Sequence, residues 1–314
     1  MGTVTVIGGA GFLGRYLVKR LAQQGLRVRV AVRDPEGASF LKPMGDVGQV
    51  QPVQANIRNQ ASIARAVAGA DVVINLAGVM FPGGAQSFQA VHEDGAEAVA
   101  QCCAAAGVGR LIHLSAIGAD AAAASKYARS KAAGEAMVRA ACPEAIIVRP
   151  STIFGPEDHF FNLFARLATL TPVMPLLGGG QGRMQPVYVG DVAQAVADLA
   201  GDDAPTGGTY ELGGPQVLSM AEIMAIVCEQ TGRDRLLVPF PFALAKFYGF
   251  FLQLLPWRIL TMDQVEMLKV DNVAGGELPG LAELGIKATA LDAVLPGYLY
   301  RYRKAGRLPM TEQA

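Results

Sequence analysis

The stretch GGAGFLG at residues 8–14 follows an alternating, mostly β-branched run, TVTVI (3–7). It opens a segment, Phe12 to Gln23, whose apolar residues recur at helical spacing. Strand, glycine turn and helix in immediate succession leave few folds open. The glycines read GxxGxxG on Gly8, Gly11 and Gly14. The first permits the tight turn, the second lets the backbone approach a pyrophosphate, and the third lets helix and strand pack closely. A diphosphate then sits on unpaired N–H groups at the helix start, where the helix dipole favours an anion. The strand before and the helix after are the context that makes this pattern a dinucleotide site.

The rest of the first half repeats the unit. LRVRVAV (26–32), residues 50–55, DVVINLAG (71–78), RLIHLS (110–115) and AIIVRP (145–150) read as further strands. DVVINLAG is the continuous apolar kind found in sheets covered on both faces. Helical segments, including an Ala-rich one over 90–106, separate most of them. This βαβ alternation predicts an α/β fold, a Rossmann doubly wound parallel sheet with helices on both faces. The second half is more irregular, with GGGQGR (178–183), several prolines and helices near 190–200 and 219–231. GGGQGR lacks the Lys-Ser/Thr of a phosphate-binding P-loop and reads as a loop. The expected organisation is a nucleotide-binding core over 1–155 and a smaller C-terminal α/β lobe over 156–314, interleaved with the core.

Composition narrows the function classes. Of the 314 residues, 51% are hydrophobic and 17% charged, with zero net charge, which fits a globular protein and gives no reason to expect nucleic-acid binding. Cys102, Cys103, Cys142 and Cys228 form no CxxC pair, and His92, His113 and His159 are scattered. The cysteines read as reduced, buried thiols, and no metal site is expected. The apolar run Val4–Ile7 is too short for a signal core and leads straight into the glycines. No targeting segment is therefore expected, unless a presequence has been removed. Abundant Ala, Gly, Arg and Pro suggest a GC-rich bacterial gene.

The end of the second strand selects the dinucleotide. AVRDP places Arg33 before Asp34. An Arg there grips a 2′-phosphate, whereas an Asp favours the free ribose hydroxyl of NAD. Arg15 adds a second positive charge, so NADPH is favoured over NAD(H). In the other reading Arg33 is a solvated strand-end charge and Asp34 takes the ribose. Further on, KYARSKAAGE places Tyr127 and Lys131 four apart on one helix face. A nearby ammonium lowers a phenol's pKa and suits it to acid–base work at a carbonyl.

A Rossmann half followed by YxxxK resembles the short-chain dehydrogenase/reductase superfamily, in its extended or atypical branch. NLAG (75–78), RPSTIFG (149–155) and PVYVGDVA (186–193) agree with it. The resemblance implies cofactor contacts from Gly8, Gly11, Phe12, Leu13, Gly14 and Arg15, and from Arg33, Asn56, Ile57, Leu76, Ala77 and Gly78. It implies further contacts from Ser115, Tyr127, Lys131, Pro150 and Ile153. Tyr127, Lys131 and Ser115 would be the catalytic set in an active member. Two departures stand out. The superfamily's carbonyl-binding hydroxyl falls one or two positions after Ser115, where this chain has Ala116 and Ile117. Such a donor is worth about 10²–10³ in rate. Asn56 stands where an adenine-binding Asp is common.

Four stretches narrow the resemblance to one family: LKPMGDVGQV (41–50), CPEAIIVRPSTIFGPED (142–158), MQPVYVGDV (184–192) and VPFPFALAKFYGFFLQLLPW (238–257). Together they resemble the nucleotide-binding accessory subunit of respiratory complex I, the NADH:ubiquinone oxidoreductase, in a bacterial form. That resemblance implies tightly held NADPH without turnover. It implies partners among the complex I subunits of the peripheral arm, near the membrane and the quinone site. The place is the cytoplasmic face of the bacterial inner membrane, or the matrix face in an organellar form. The apolar stretch 238–260 is compatible by length with a membrane span, with buried core helices, or with a surface against a partner or lipid, anchored by Trp257 and Arg258. Prolines 239, 241 and 256 and the internal Lys246 weigh against a span. The basic run YRYRKAGR (300–307) suits anionic lipid, an acidic partner or plain solvent. The contrasting reading is a free NADP(H)-dependent reductase or epimerase acting on a small carbonyl or sugar.

Overall fold

The computed structural model describes residues 2–201, 204–252 and 261–304. In chain order the elements are β1 (Thr3–Ile7), α1 (Phe12–Gln23), β2 (Arg27–Val32), β3 (Val50–Gln54), α2 (Gln60–Val67), β4 (Val72–Asn75), α3 (Asp94–Ala106), β5 (Arg110–Leu114), α4 (Lys126–Ala141) and β6 (Ile146–Pro150). They continue with β7 (Ile153–Phe154), α5 (Phe160–Leu170), β8 (Val173–Leu177), β9 (Arg183–Met184), β10 (Val187–Tyr188), α6 (Val189–Leu199), β11 (Thr209–Leu212), β12 (Leu218–Ser219), α7 (Met220–Thr231), β13 (Leu236–Phe240), α8 (Phe242–Leu252) and α9 (Met262–Met267).

Two compact units result. The first comprises residues 1–150, 189–212 and 275–286. Its seven strands lie in the order β11-β6-β5-β4-β1-β2-β3, and every neighbouring pair is parallel. This is the doubly wound α/β sheet that the βαβ alternation predicts. The strand order reverses between β1 and β4; sheets of this kind bind ligands outside the carboxyl ends of the strands at such a switch point. Hydrophobic burial drives the assembly. Val72, Val73 and Ile74 are buried, and each such side chain contributes about 1.5–3 kcal/mol. α1 packs against α6, while α2 and α4 pack against α3.

One strand and one helix start differ from the sequence reading. β11 (TYEL) completes the sheet from residues far beyond the obvious βαβ run. The Ala-rich helix does not start cleanly at residue 90: Gln89–Glu93 form a π-turn that leads into α3.

The second unit comprises residues 151–188, 213–274 and 287–314, of which 253–260 and 305–314 lie outside the described residues. It holds three two-stranded sheets, β7–β10, β9–β12 and β8–β13. Its core joins Phe154, Phe161 and Met174 to Ile223, Met224 and Leu299. The turn of the GPED stretch is closed by buried Asp158, which accepts hydrogen bonds from the Tyr298 hydroxyl at 2.6 Å and the Gly155 N–H at 3.1 Å. In the 238–260 stretch, α8 exposes Leu244, Phe247, Tyr248 and Phe250. Lys246 pairs with Glu266 at 2.6 Å. Among the described residues no helix is long and apolar enough to cross a membrane. Trp257, Arg258 and residues 305–307 lie outside the described residues.

Candidate dinucleotide site

The three glycines of the first turn serve three different physical ends. Gly8 has φ +79°, in the left-handed region that favours glycine. Its Cα faces the turn after β4, so a Cβ would stand 3.3 Å from the Ala77 nitrogen. A Cβ on Gly14 would collide with the backbone carbonyl of Gly9; this glycine lets α1 lie against the turn. Gly11 differs. Its φ of −73° suits any residue, it is exposed, and only Gly8 O, at 3.3 Å, lies near a Cβ placed there. The backbone at 11 is unstrained, and the one close contact a Cβ would make, Gly8 O at 3.3 Å, is tight but needs a shift of only a few tenths of an ångström. Gly11 is the N-cap of α1 and provides no side-chain cap, and the first turn carries no acidic residue. The start of the helix therefore presents N–H groups and the positive end of its dipole. The cradle fits a diphosphate.

Beyond β2, Asp34 and Arg33 take different roles. Asp34 Oδ1 accepts the Gly37 N–H at 3.0 Å, which turns the carboxylate into its own loop. Arg33 is exposed and makes no ion pair among the described residues. The Arg15 guanidinium lies 5.4 Å from the centre of the half-exposed Phe40 ring. Phe12 packs edge-on against Tyr16, and Leu13 is buried beneath. After β3, Asn56 Oδ1 accepts the Arg58 N–H at 3.1 Å, so that oxygen serves a local turn. Ile57 packs on Gly95, where a Cβ would come within 2.8 Å of it. After β4, the Leu76 N–H reaches Ile7 O at 3.0 Å and the Ala77 N–H reaches Asn75 Oδ1 at 3.1 Å. Gly78 follows at the surface.

The Tyr–Lys end is built on α4, whose N-cap Ser125 accepts the Ala128 N–H at 3.3 Å. Lys131 is buried and donates to Leu114 O at 2.7 Å. Burial brings its ammonium down to about 8, with Glu135 acting in the opposite direction. Tyr127 packs edge-on against the Phe88 and His92 rings. Burial pushes its phenol up to about 12. Desolvation of the phenolate works against the lowering expected from Lys131. Ser115 is 4% exposed, and its Oγ is a buried hydroxyl without a hydrogen-bond partner among the described residues. The backbone holds it there: the Ser115 N–H reaches Val148 O at 2.7 Å and the Ile117 N–H reaches Pro150 O at 3.0 Å. These two bonds pin the strand end. A buried, unsatisfied hydroxyl costs stability, and a polar ligand group would relieve it. Ile153 belongs to the second unit, in β7.

Two buried histidines, His92 and His113, stand beside this end. His113 Nδ1 lies 3.2 Å from Asn75 Nδ2, which donates to it. His92 Nε2 accepts the Val79 N–H at 3.0 Å, and its Nδ1 lies 2.9 Å from Ser130 Oγ. Burial first, then the Lys131 charge, holds His92 down to about 3 and His113 well below the usual imidazole range. Nothing in their sequence spacing marks them. Below the site, Arg149 clamps buried Glu135 with two hydrogen bonds of 2.9 and 2.6 Å. Among the described residues no cluster of His, Cys, Asp or Glu is suited to a metal ion.

Comparison with known proteins identifies the family. The NAD dependent epimerase/dehydratase family matches residues 4–213. A protein of Arabidopsis thaliana named NADH dehydrogenase [ubiquinone] 1 alpha subcomplex subunit 9, mitochondrial, is 37% identical over 96% of this chain and 78% of its own. The NADH-ubiquinone oxidoreductase 40 kDa subunit of Neurospora crassa mitochondria is 37% identical over 96% of this chain and 80% of its own. A ceramide reductase of Caulobacter vibrioides is 40% identical, over 61% of this chain and 59% of its own. Among solved structures, dTDP-glucose 4,6-dehydratase from Streptomyces venezuelae with NAD bound shares the fold. Its TM-score is 0.73 at 21% identity, over 97% of this chain and 100% of that one. This chain belongs to the NAD-dependent epimerase/dehydratase family, and within it to the group that contains these NADH:ubiquinone oxidoreductase subunits.

Proposed function

We propose that this chain is an accessory subunit of respiratory complex I that binds NADPH as a structural cofactor. It supports assembly or stability of the peripheral arm, near the membrane and the quinone site. Its partners are the neighbouring subunits of that arm, with lipid contact through 238–260. Its place is the cytoplasmic face of the bacterial inner membrane, or the matrix face in an organellar form. The observation that carries this reading is the 37% identity over 96% of the chain to the two oxidoreductase subunits.

The site geometry supports cofactor holding over turnover. Gly8, Gly11 and Gly14 with the start of α1 would hold the diphosphate. Asp34 is engaged in its own turn, which leaves Arg33, with Arg15, to meet a 2′-phosphate and favours NADPH over NAD(H). Ser115, Tyr127 and Lys131 would line the other end. When bound, NADPH supplies a hydride donor. The chain offers little to use it with: residues 116 and 117 are apolar, and Ser115 Oγ is buried at a pinned strand end. The test is a chromosomal Gly11→Asp strain of the native host. We expect less assembled complex I in its membranes. Normal assembly in that strain contradicts the structural-cofactor role.

The similarity to the ceramide reductase favours a second reading, a free NADP(H)-dependent reductase. There Tyr127 would be the acid–base group, Lys131 its electrostatic helper and Ser115 a carbonyl donor. Purified chain that oxidises NADPH with a carbonyl substrate, and loses this with Tyr127→Phe, supports it over the first.

A further inference from the structure

We infer that His92 is a positioning residue: its ring ties the turn after β4 to the helix that carries Tyr127, and through that tie sets the Tyr127–Lys131 end of the dinucleotide site. The inference rests on the proposed reading of that site. His92 lies in the π-turn at Gln89–Glu93. A π-turn inserts one residue into a helix and re-aims the side chains around it, and such turns concentrate at functional sites. Here the neighbouring helix presses on it so closely that a Cβ on Gly134 would collide with the His92 carbonyl oxygen. Gly134 thus lets α4 approach, and the turn sets the His92 ring between two site segments.

Both ring nitrogens are used. Nε2 accepts the Val79 N–H at 3.0 Å, so it carries no proton. The Nδ1–H then donates to Ser130 Oγ at 2.9 Å, and Ser130 Oγ passes its own hydrogen to Tyr127 O at 2.8 Å. The ring also stacks on Phe88 (centroids 5.4 Å apart, planes at 20°) and meets the Tyr127 ring edge-on at 5.4 Å. One imidazole thereby fixes the turn that follows Leu76, Ala77 and Gly78, and also the backbone and ring of Tyr127. A phenyl ring would fill the same space but make neither hydrogen bond. A glutamine can both accept and donate.

The test uses the full chain as wild type, His92→Phe, His92→Gln and Ser130→Ala. Thermal unfolding without ligand establishes that each is folded. Reduced-nicotinamide fluorescence reads the NADPH affinity, and calorimetry reads the affinity for 2′,5′-ADP, the adenosine half of the same ligand. We expect His92→Phe to weaken NADPH about tenfold and to leave 2′,5′-ADP unchanged, with His92→Gln close to wild type. Unchanged NADPH affinity in folded His92→Phe overturns the inference, and so does equal weakening of both ligands, which would mark His92 as ordinary core. If His92→Phe does not fold, Ser130→Ala decides: NADPH weakened with 2′,5′-ADP unchanged supports the tie, and no change refutes it. Wild type that binds neither ligand refutes the site reading on which the inference stands.

Discussion

Replacing Gly11 with Asp separates what a glycine does for the fold from what it does for a ligand. The backbone at 11 is in an ordinary region, the residue is exposed, and only Gly8 O at 3.3 Å stands near a new Cβ. α1 lacks a side-chain cap and an acidic residue in its first turn. Asp at the N-cap supplies the cap, worth a few tenths of a kcal/mol over glycine, and a charge at the positive helix end, worth about 0.3–1 kcal/mol. Set against the tight contact with Gly8 O, these gains should leave ligand-free Gly11→Asp within about 1 kcal/mol of wild type. The same carboxylate stands where a diphosphate would sit. Wild type at an NADPH concentration a hundredfold above Kd gains about 2.7 kcal/mol, an increase of roughly 5 °C in Tm for a chain of this size. The variant should gain nothing. Thermal unfolding followed by near-UV circular dichroism, with and without NADPH, reads both quantities. A ligand-free loss above about 2 kcal/mol would place the need for glycine in the fold. A full NADPH shift in the variant would refute the phosphate cradle.

Three further outcomes follow from the same geometry. Gly14→Ala drives a methyl into the Gly9 backbone and should lower stability by about 1–3 kcal/mol; an unchanged urea midpoint contradicts the packing account. Lys131 has its pKa lowered by burial to about 8, so between about pH 8 and the ordinary lysine value the unfolded chain binds a proton that the folded chain does not. Stability from this group therefore rises with pH across that window and is lost as pH falls through about 8. Between pH 8 and 9 wild type should gain stability relative to Lys131→Met, and parallel pH profiles would contradict the burial. Tyr127→Phe should leave the amount of complex I and its membrane NADH oxidation nearly unchanged. Loss of activity by a factor of about 10² or more is instead the mark of acid–base catalysis.

The parts of the fold legible in the sequence are those carried by local pattern. Alternating and continuous apolar runs marked β1 to β6, and the GxxGxxG turn marked the strand order's origin. Tyr127 and Lys131 stood out because a four-residue spacing fixes a shared helix face. β11 did not stand out. TYEL is short and carries Glu211, whose carboxylate lies 3.6 Å from Arg149 within the same unit. Its membership of the sheet is decided by pairing with β6, not by its own composition. The π-turn was equally hidden, since an inserted residue shifts helix phase without changing the Ala-rich pattern. His92 and Ser130 meet across a separation of 38 residues, which no periodicity records. The Tyr127 phenol illustrates the other limit. Spacing marks a lysine one helical turn away, but only packing shows the burial that raises the phenol.

The most direct measurement of the central claim is the size of the particle that carries this chain in its native host. Membranes from cells bearing a tagged chromosomal copy are solubilised gently, separated on a native gel and stained for NADH dehydrogenase activity. The tag should co-migrate with the large active band. A tag found only as a small, soluble species would contradict that claim and return Tyr127 to the centre of a free reductase.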